Sequence, residues 1–139
     1  MLWMLNARIG KPHRRTIITR INGSHGVTLG ASSMTAKPYN KEFGLPSEAF
    51  IHIECPHYWK YGLENETEEE FSLRMARNLE EKIIKEDPET IAGFVAEPVQ
   101  GAGGGIPPSK SYFDLVQPIL KRYNIPVIAD EVICGLGRT

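Results

Sequence analysis

Two apolar runs near the end of the chain constrain its fold more than any other feature. Residues 91–96 precede Glu97, and residues 125–129 precede Asp130. Runs that are apolar at nearly every position are typical of strands covered on both faces, as in a parallel sheet. Between them lies a helical pattern that Ser111 can cap, and a right-handed crossover through this helix would set the strands parallel. We therefore predict that both carboxylates lie at the same edge of a sheet.

Other stretches of the sequence complete an α/β pattern. Residues 16–21 (TIITRI) are rich in β-branched residues, which favours a strand. Thr67 and Glu70 form the pattern of a capping box, and the apolar residues that recur after it at every fourth position predict an amphipathic helix. This apolar stripe consists of Phe71, Met75, Leu79 and Ile83, widened by Ala76 and Ile84. Residues 27–66 have weak periodicity and many turn formers, and only residues 50–53 resemble a strand there. The predicted fold class is α/β, with a mostly parallel sheet and flanking helices.

Length and charge limit the classes of protein to which the chain can belong. Its 139 residues form at most one domain, and a net charge of −1 argues against a nucleic-acid binder defined by bulk charge. Residues 1–41 carry seven Lys or Arg and no acid. Because no aromatic residues interleave with these charges, they predict a solvated loop before a strand rather than a basic arm for nucleic acid. No apolar run reaches the length of a membrane span.

Cysteine and histidine usage predicts neither a disulfide framework nor a metal site. We expect Cys55 and Cys134 to be reduced and partly buried, as in a cytoplasmic protein. His52 and His57 flank Cys55, but the spacing H-x-x-C-x-H matches no established set of metal ligands.

The ends of the predicted strands hold the candidate site residues. In open α/β sheets, ligands bind outside the carboxyl ends of the strands, where we expect Glu97, Asp130 and a turn carrying Ser24 and His25. A carboxylate such as Asp130, at the end of an apolar strand, must be met by a cation or by several donors. A protonated pyridine nitrogen is one such cation. Alternatively, Asp130 caps the loop that follows it or pairs with Arg138.

The glycine-rich segment at residues 101–105 suggests a phosphate-binding loop, but its details oppose that interpretation. Ile106 occupies the position at which G-x-G-x-x-G requires its last glycine, and the Lys and Ser or Thr of a P-loop are absent. We predict a flexible loop beside the site.

The last third of the chain resembles a known enzyme family. The segments AEPVQGAGG (96–104), IPP (106–108) and YF (112–113) are followed by IADEVICGLGRT (128–139). Together they resemble the cofactor half-site of class III aminotransferases, and PHY (56–58) and the helix at 68–84 fit the ω-aminotransferase branch. The resemblance covers essentially the whole chain.

The resemblance implies pyridoxal phosphate as cofactor and a role for each candidate residue. Asp130 would pair with the pyridine nitrogen, and Val132 would pack against one face of the ring. Glu97 would support the hydrogen-bond network around the ring. The turn at 23–26 resembles the family's Tyr-His-Gly turn, so that Ser24 occupies the position of a stacking tyrosine and His25 follows it. Loss of one stacked ring, worth roughly 0.5–1.5 kcal/mol, would weaken cofactor binding but need not abolish it.

The resemblance also implies how the chain is used. Residues 1–139 would be the central part of the large domain of a fold-type-I enzyme, with the phosphate-binding loop before Met1 and the cofactor lysine beyond Thr139. Its substrates would be an amine or ω-amino acid and a keto acid, and the whole protein would be a homodimer. We expect the chain alone to be inactive. An aminomutase or decarboxylase of the same family, or a non-catalytic domain kept for binding or dimerisation, are the alternatives.

Overall fold

The computed structural model describes residues 1–37, 42–46 and 48–139 as strands that alternate with helices. The elements in chain order are α1 (Leu2–Arg8), β1 (Thr16–Arg20), α2 (Leu29–Met34), β2 (Phe50–Ile53), α3 (Tyr58–Tyr61), α4 (Glu68–Lys85), β3 (Ile91–Ala96), α5 (Tyr112–Arg122) and β4 (Val127–Ala129).

The four strands form one parallel sheet in the order β2-β1-β3-β4. β1 lies at its centre, with Ile17 in register with Phe50 of β2 on one side and with Gly93 of β3 on the other. The predicted α/β fold class is confirmed. Because β3 and β4 run parallel, Glu97 and Asp130 follow their strands at the same edge of the sheet, as predicted.

The larger part of the core lies between one face of the sheet and helices α4 and α5. The predicted capping box is present, since Thr67 Oγ1 accepts the Glu70 N–H and Glu70 accepts the Thr67 N–H. The four residues of the predicted stripe on α4 are at most 5% exposed, but Ile84 is 59% exposed and does not widen it. Each fully buried Phe or Leu contributes roughly 1.5–3 kcal/mol, so this helix is held mainly by its packing. Within the described residues, no helix combines the length and the apolar composition that a membrane span requires.

A smaller apolar cluster covers the opposite face of the sheet. It joins Leu2 of α1 to Ile17, Ala92 and Val95 of the central strands. The buried Asn6 side chain donates to the carbonyl oxygen of Ala92 at 3.0 Å, which ties α1 to β3. β3 is therefore buried at every position, as its unbroken apolar run predicts. β4 is one of the two edge strands and is partly open, with Val127 47% exposed. The prediction of a strand covered on both faces was therefore wrong for the second apolar run.

Two further sequence-based predictions, on the segment at 27–66 and on the cap of α5, were wrong. The segment at 27–66 contains α2 and α3 as well as the predicted strand; α2 is short and built from small residues, and Thr28 caps it by accepting the Ala31 N–H. The Ser111 side chain makes no capping bond to α5. Its backbone, at φ −81° and ψ −10°, is already helical, whereas a capping residue needs an extended backbone.

The basic block before β1 is not simply a solvated loop. Arg14 and Arg20 are each 1% exposed. Arg14 donates to the carbonyl oxygen of Asn124 at 2.9 Å and pairs with Glu89, because these distant groups converge on its guanidinium. Lys41, the last member of the block, lies outside the described residues.

Candidate functional site

Three strand ends converge at the carboxyl edge of the sheet. β1 leads into the turn at 23–26, β3 into Glu97 and β4 into Asp130. The chain adds β2 on one side of β1 and β3 on the other, so this edge contains the point at which the strand order reverses. Such a point is where open α/β sheets bind their ligands.

Asp130 is held by a buried histidine. His25 Nδ1 lies 2.8 Å from Asp130 Oδ2, and the two side chains are 2% and 17% exposed. Because an ionised carboxylate can only accept, Nδ1 carries the proton and donates a hydrogen bond to Asp130 Oδ2. The second oxygen, Oδ1, accepts the Val132 N–H at 3.3 Å. Asp130 therefore caps the loop after β4, one of the two alternatives to cation binding, while its partners do not include Arg138.

Glu97 is bound by two backbone amides from different loops. Its side chain is buried, with Oε1 accepting the Ser24 N–H at 2.8 Å and Oε2 accepting the Gly101 N–H at 3.0 Å. The carbonyl oxygen of Glu97 accepts a hydrogen bond from the guanidinium of Arg20. That guanidinium lies over the rings of Tyr112 and Phe113, at 5.7 and 5.6 Å from their centroids.

The glycine-rich loop lies beside the site, as predicted. It contacts residues 21 and 22, which lead from β1 into the turn at 23–26. Gln100 and Ile106 close the loop by exchanging backbone hydrogen bonds of 3.0 Å. The Gln100 side chain donates to the carbonyl oxygen of Ile21 at 2.9 Å. Gly103 packs so closely on Asn22 that a Cβ there would lie 2.4 Å from the Asn22 carbonyl oxygen.

Cys55 belongs to this hydrogen-bond network as a donor. Its Sγ lies 3.3 Å from Oε1 of Gln100, and burial raises the pKa of the thiol above its ordinary value. A raised pKa disfavours the thiolate, which is the form of cysteine that acts as a nucleophile or as a metal ligand. Cys55 and Cys134 are both free and more deeply buried than we predicted, at 1% and 6% exposure. Burial also lowers the pKa of neighbouring His52, whose Nε2 lies 3.3 Å from the Met34 carbonyl oxygen.

A cleft of about 540 Å³ opens beside Asp130. His25, Asp130 and Val132 form its polar end and rim, while Met34 and Ile128 are part of its apolar wall. The Val132 side chain is 93% exposed. The arrangement offers a carboxylate next to apolar surface, which suits a flat aromatic ligand that carries a positive charge.

The structure places the five predicted site residues at the carboxyl edge of the sheet, but they differ in how directly they contact one another. His25 and Asp130 are in direct contact, Val132 follows them at the rim, and Ser24 is linked to Glu97 through its backbone. Arg20 and Gln100 were missed. No local pattern distinguishes them, since Arg20 counts as one more base in a basic block and Gln100 as a polar residue before a glycine loop.

The model of one protein family, described as aminotransferase class-III, matches residues 2–139. The chain is 52% identical to gamma aminobutyrate transaminase 1, mitochondrial, of Solanum lycopersicum over 99% of its own length and 27% of that protein's. It is 50% identical to the vanillin aminotransferase of Capsicum chinense, over 99% of its own length and 30% of that protein's. The chain thus spans about 30% of the length of these relatives.

Solved structures show the same arrangement of the chain. The PMP-bound aminotransferase from Vibrio fluvialis superimposes with a TM-score of 0.95 at 62% identity, over 99% of this chain and 30% of that one. An omega-aminotransferase from Paracoccus denitrificans gives a TM-score of 0.96 at 61% identity, over 99% of this chain and 31% of that one. These identities and TM-scores show that the chain shares the fold of these enzymes over its whole length.

Proposed function

This chain belongs to the class III aminotransferase family, and on that premise we propose that the protein containing it moves an amino group from an amine or ω-amino acid to a keto acid. Class III aminotransferases use pyridoxal phosphate, and the relatives at hand include gamma-aminobutyrate transaminases and omega-aminotransferases. The observation that carries the proposal is the Asp130 carboxylate, held by His25 at the end of β4 beside the exposed side chain of Val132.

The residues at this edge fit the ring of pyridoxal phosphate. A protonated pyridine nitrogen needs an ionised acceptor. Among the described residues, Oδ1 of Asp130 accepts a single hydrogen bond, from the Val132 N–H at 3.3 Å, so it can accept again. A flat ring also needs apolar surface, which Val132 and the wall of the cleft offer. Ser24, at the position that resembles the family's stacking tyrosine, offers little apolar surface to the ring.

Pyridoxal phosphate, when bound, supplies an electron sink for the carbanion that forms on the substrate. The contribution of Asp130 is to keep the pyridine nitrogen protonated, since an opposite charge within hydrogen-bond distance favours the charged form. His25 holds the carboxylate in place by donating to Oδ2. Val132 orients the ring by packing and excludes water from that face.

We also propose that the whole protein is a homodimer, as its resemblance to the family implies. Large apolar side chains are exposed in the described part of the chain, among them Val27 at 95%, Val132 at 93% and Leu136 at 106%. Exposed apolar side chains of this size are covered by another segment of the whole protein or by a partner subunit, and the family resemblance favours a second copy as one of these. Light scattering on the purified whole protein tests this proposal, and a monomer at micromolar concentration would contradict it.

Transfer of an amino group from γ-aminobutyrate or an arylalkylamine to pyruvate, measured as alanine formed by the whole protein, tests the activity. Asp130→Asn should lower kcat/KM at least about 30-fold, since removing one partner of a buried charge pair costs roughly 2–5 kcal/mol. Asp114→Asn is the matched control, because Asp114 is exposed in the first turn of α5. No alanine from either donor class, or equal rates for the two variants, would contradict the proposal.

A further inference from the structure

The burial of Glu97 requires a physical reason. Its side chain is 3% exposed, and an ionised carboxylate is costly to bury unless donors replace its water. The donors are the backbone N–H groups of Ser24 and Gly101, one on each oxygen. Glu97 therefore connects the turn after β1 to the glycine-rich loop after β3, and it does so through main-chain groups.

The turn that Glu97 binds is the one that presents His25. Ser24, whose N–H meets Glu97, is bonded directly to His25, whose own N–H donates to Thr35 Oγ1 at 2.9 Å. The Gly23 N–H donates to the Arg20 carbonyl oxygen at 3.0 Å, so the turn is also anchored to its strand. One peptide unit thus separates the hydrogen bond made by Glu97 from the side chain that orients Asp130.

These contacts form a closed ring across three strand ends. From Glu97 the ring passes through Ser24 to His25, and from His25 Nδ1 to Asp130 at 2.8 Å. The Asp130 N–H then donates to the carbonyl oxygen of Ala96, which precedes Glu97, at 2.9 Å. The Glu97 side chain is therefore linked to Asp130 through the turn and His25, and the backbone just before Glu97 is linked to the Asp130 N–H.

We propose that Glu97 is a positioning residue, which orients Asp130 through the turn at 23–26 and His25 and makes no contact with substrate. The proposal rests on the proposed function, because Asp130 is the residue that meets the cofactor. It specifies the supporting role that the resemblance implies for Glu97, since each of its oxygens accepts an N–H from a loop beside the site.

A first experiment needs no cofactor and compares Glu97→Gln with wild type in the whole apoprotein. The amide keeps the length of the side chain but turns one acceptor into a donor, so one of the two N–H groups loses its partner. Hydrogen exchange over residues 22–26 or at Gly101 should become about tenfold faster. The ¹⁵N chemical shifts of the His25 ring should no longer be those of a fixed Nδ1–H tautomer. Glu81→Gln, on an exposed part of α4, is the matched control and should change neither. Unchanged exchange and an unchanged His25 signal would overturn the proposal.

A second experiment separates positioning from direct contact by a double-mutant cycle on the Kd of pyridoxal phosphate. Glu97→Gln should raise the Kd about tenfold, whereas in an Asp130→Asn background it should change the Kd less than twofold, because its effect passes through Asp130. Equal effects in both backgrounds would show that Glu97 meets the ligand independently and would overturn the proposal. Failure of the wild-type protein to bind pyridoxal phosphate would contradict the proposed function instead, and the first experiment would still decide the role of Glu97.

The choice of replacement provides a further readout. Glu97→Asp keeps the charge but is shorter by one methylene, so it cannot reach both N–H groups, whereas Glu97→Gln keeps the reach and loses the charge. If positioning is the role, Gln should retain more cofactor affinity than Asp. The opposite order would mean that the charge itself acts at the site, which the proposal excludes.

Discussion

Replacing Gly103 with alanine should displace the turn that carries His25. The new Cβ would lie 2.4 Å from the carbonyl oxygen of Asn22, which is 1.0 Å closer than the 3.4 Å at which ordinary van der Waals contact begins. The obstacle is a backbone atom, so either the glycine-rich loop or the turn must move. Overpacking of this kind costs roughly 1–3 kcal/mol, and the lower entropy of the unfolded alanine variant returns about 0.4–1 kcal/mol. We expect a net loss of about 1–2 kcal/mol.

Two glycines of the same loop supply graded controls for this prediction. At Gly101 a Cβ would meet Cδ1 of Ile133 at 2.5 Å, but that side chain is half exposed and can rotate away. At Gly105 there is open space, and the only cost is the positive φ of +65°, about 1–2 kcal/mol for alanine before the entropy offset. Gly105→Ala can therefore lose about as much stability as Gly103→Ala, but without touching the turn.

The assay must therefore report on position as well as on stability. Urea denaturation gives the loss of stability, and hydrogen exchange of residues 22–26 shows whether the turn has moved. Only Gly103→Ala should speed that exchange, together with a weaker affinity for pyridoxal phosphate. If Gly103→Ala and Gly105→Ala leave the exchange of residues 22–26 equally unaffected, the close approach to Asn22 does not constrain the turn and the reasoning is refuted.

Three further predictions concern α4 and its surroundings. Leu79→Ala should lower the free energy of unfolding, measured by urea denaturation, by about 3–4 kcal/mol because Leu79 is fully buried. Leu73→Ala on the same helix should lower it by about 1 kcal/mol, because that side chain is 37% exposed. Equal losses would contradict the packing of α4. Hydrogen bonds from Arg74 hold the pKa of Glu66 at about 2, below its ordinary 4.5. The resulting stabilisation is complete above pH 4.5 and is lost as the pH falls towards 2, so Arg74→Gln should raise the pKa of Glu66 in an NMR titration and flatten the acid-side loss of stability. Thr67→Ala should cost about 1 kcal/mol by removing the cap of α4, and Thr67→Ser should restore most of it.

The sequence predicts those parts of the fold that local pattern encodes. β3 is buried at every position and its run is apolar throughout, so composition alone indicates a covered strand. α4 is preceded by a capping box and carries a stripe of period four, two independent signals that agree. α2 has neither, since its residues LGASSM are small and lack a helical stripe. It is held by its Thr28 cap and by contacts with β1 and β2 that only the folded chain supplies.

The site is less predictable because its contacts join distant parts of the chain. Strand order places Asp130 at the correct edge, but its partner His25 is 105 residues away and is identified only once β1, β3 and β4 are aligned. The same holds for Arg14, which sequence assigns to a solvated loop. Its burial depends on the carbonyl oxygen of Asn124, 110 residues further along the chain, and on Glu89.

The central place of β1 has a consequence for synthesis of the protein. Its two neighbours emerge from the ribosome at different times, since Ile17 pairs with Phe50 on one side and with Gly93 on the other. At about 5–20 residues per second, the 76 residues from position 17 to position 93 take roughly 4–15 s to make. Collapse of a chain this size takes about 10–100 μs, so one edge of the strand waits unpaired far longer than the chain needs to collapse. Unpaired edges are where chains associate, so this edge of β1 is open to association with other chains until residue 93 is made.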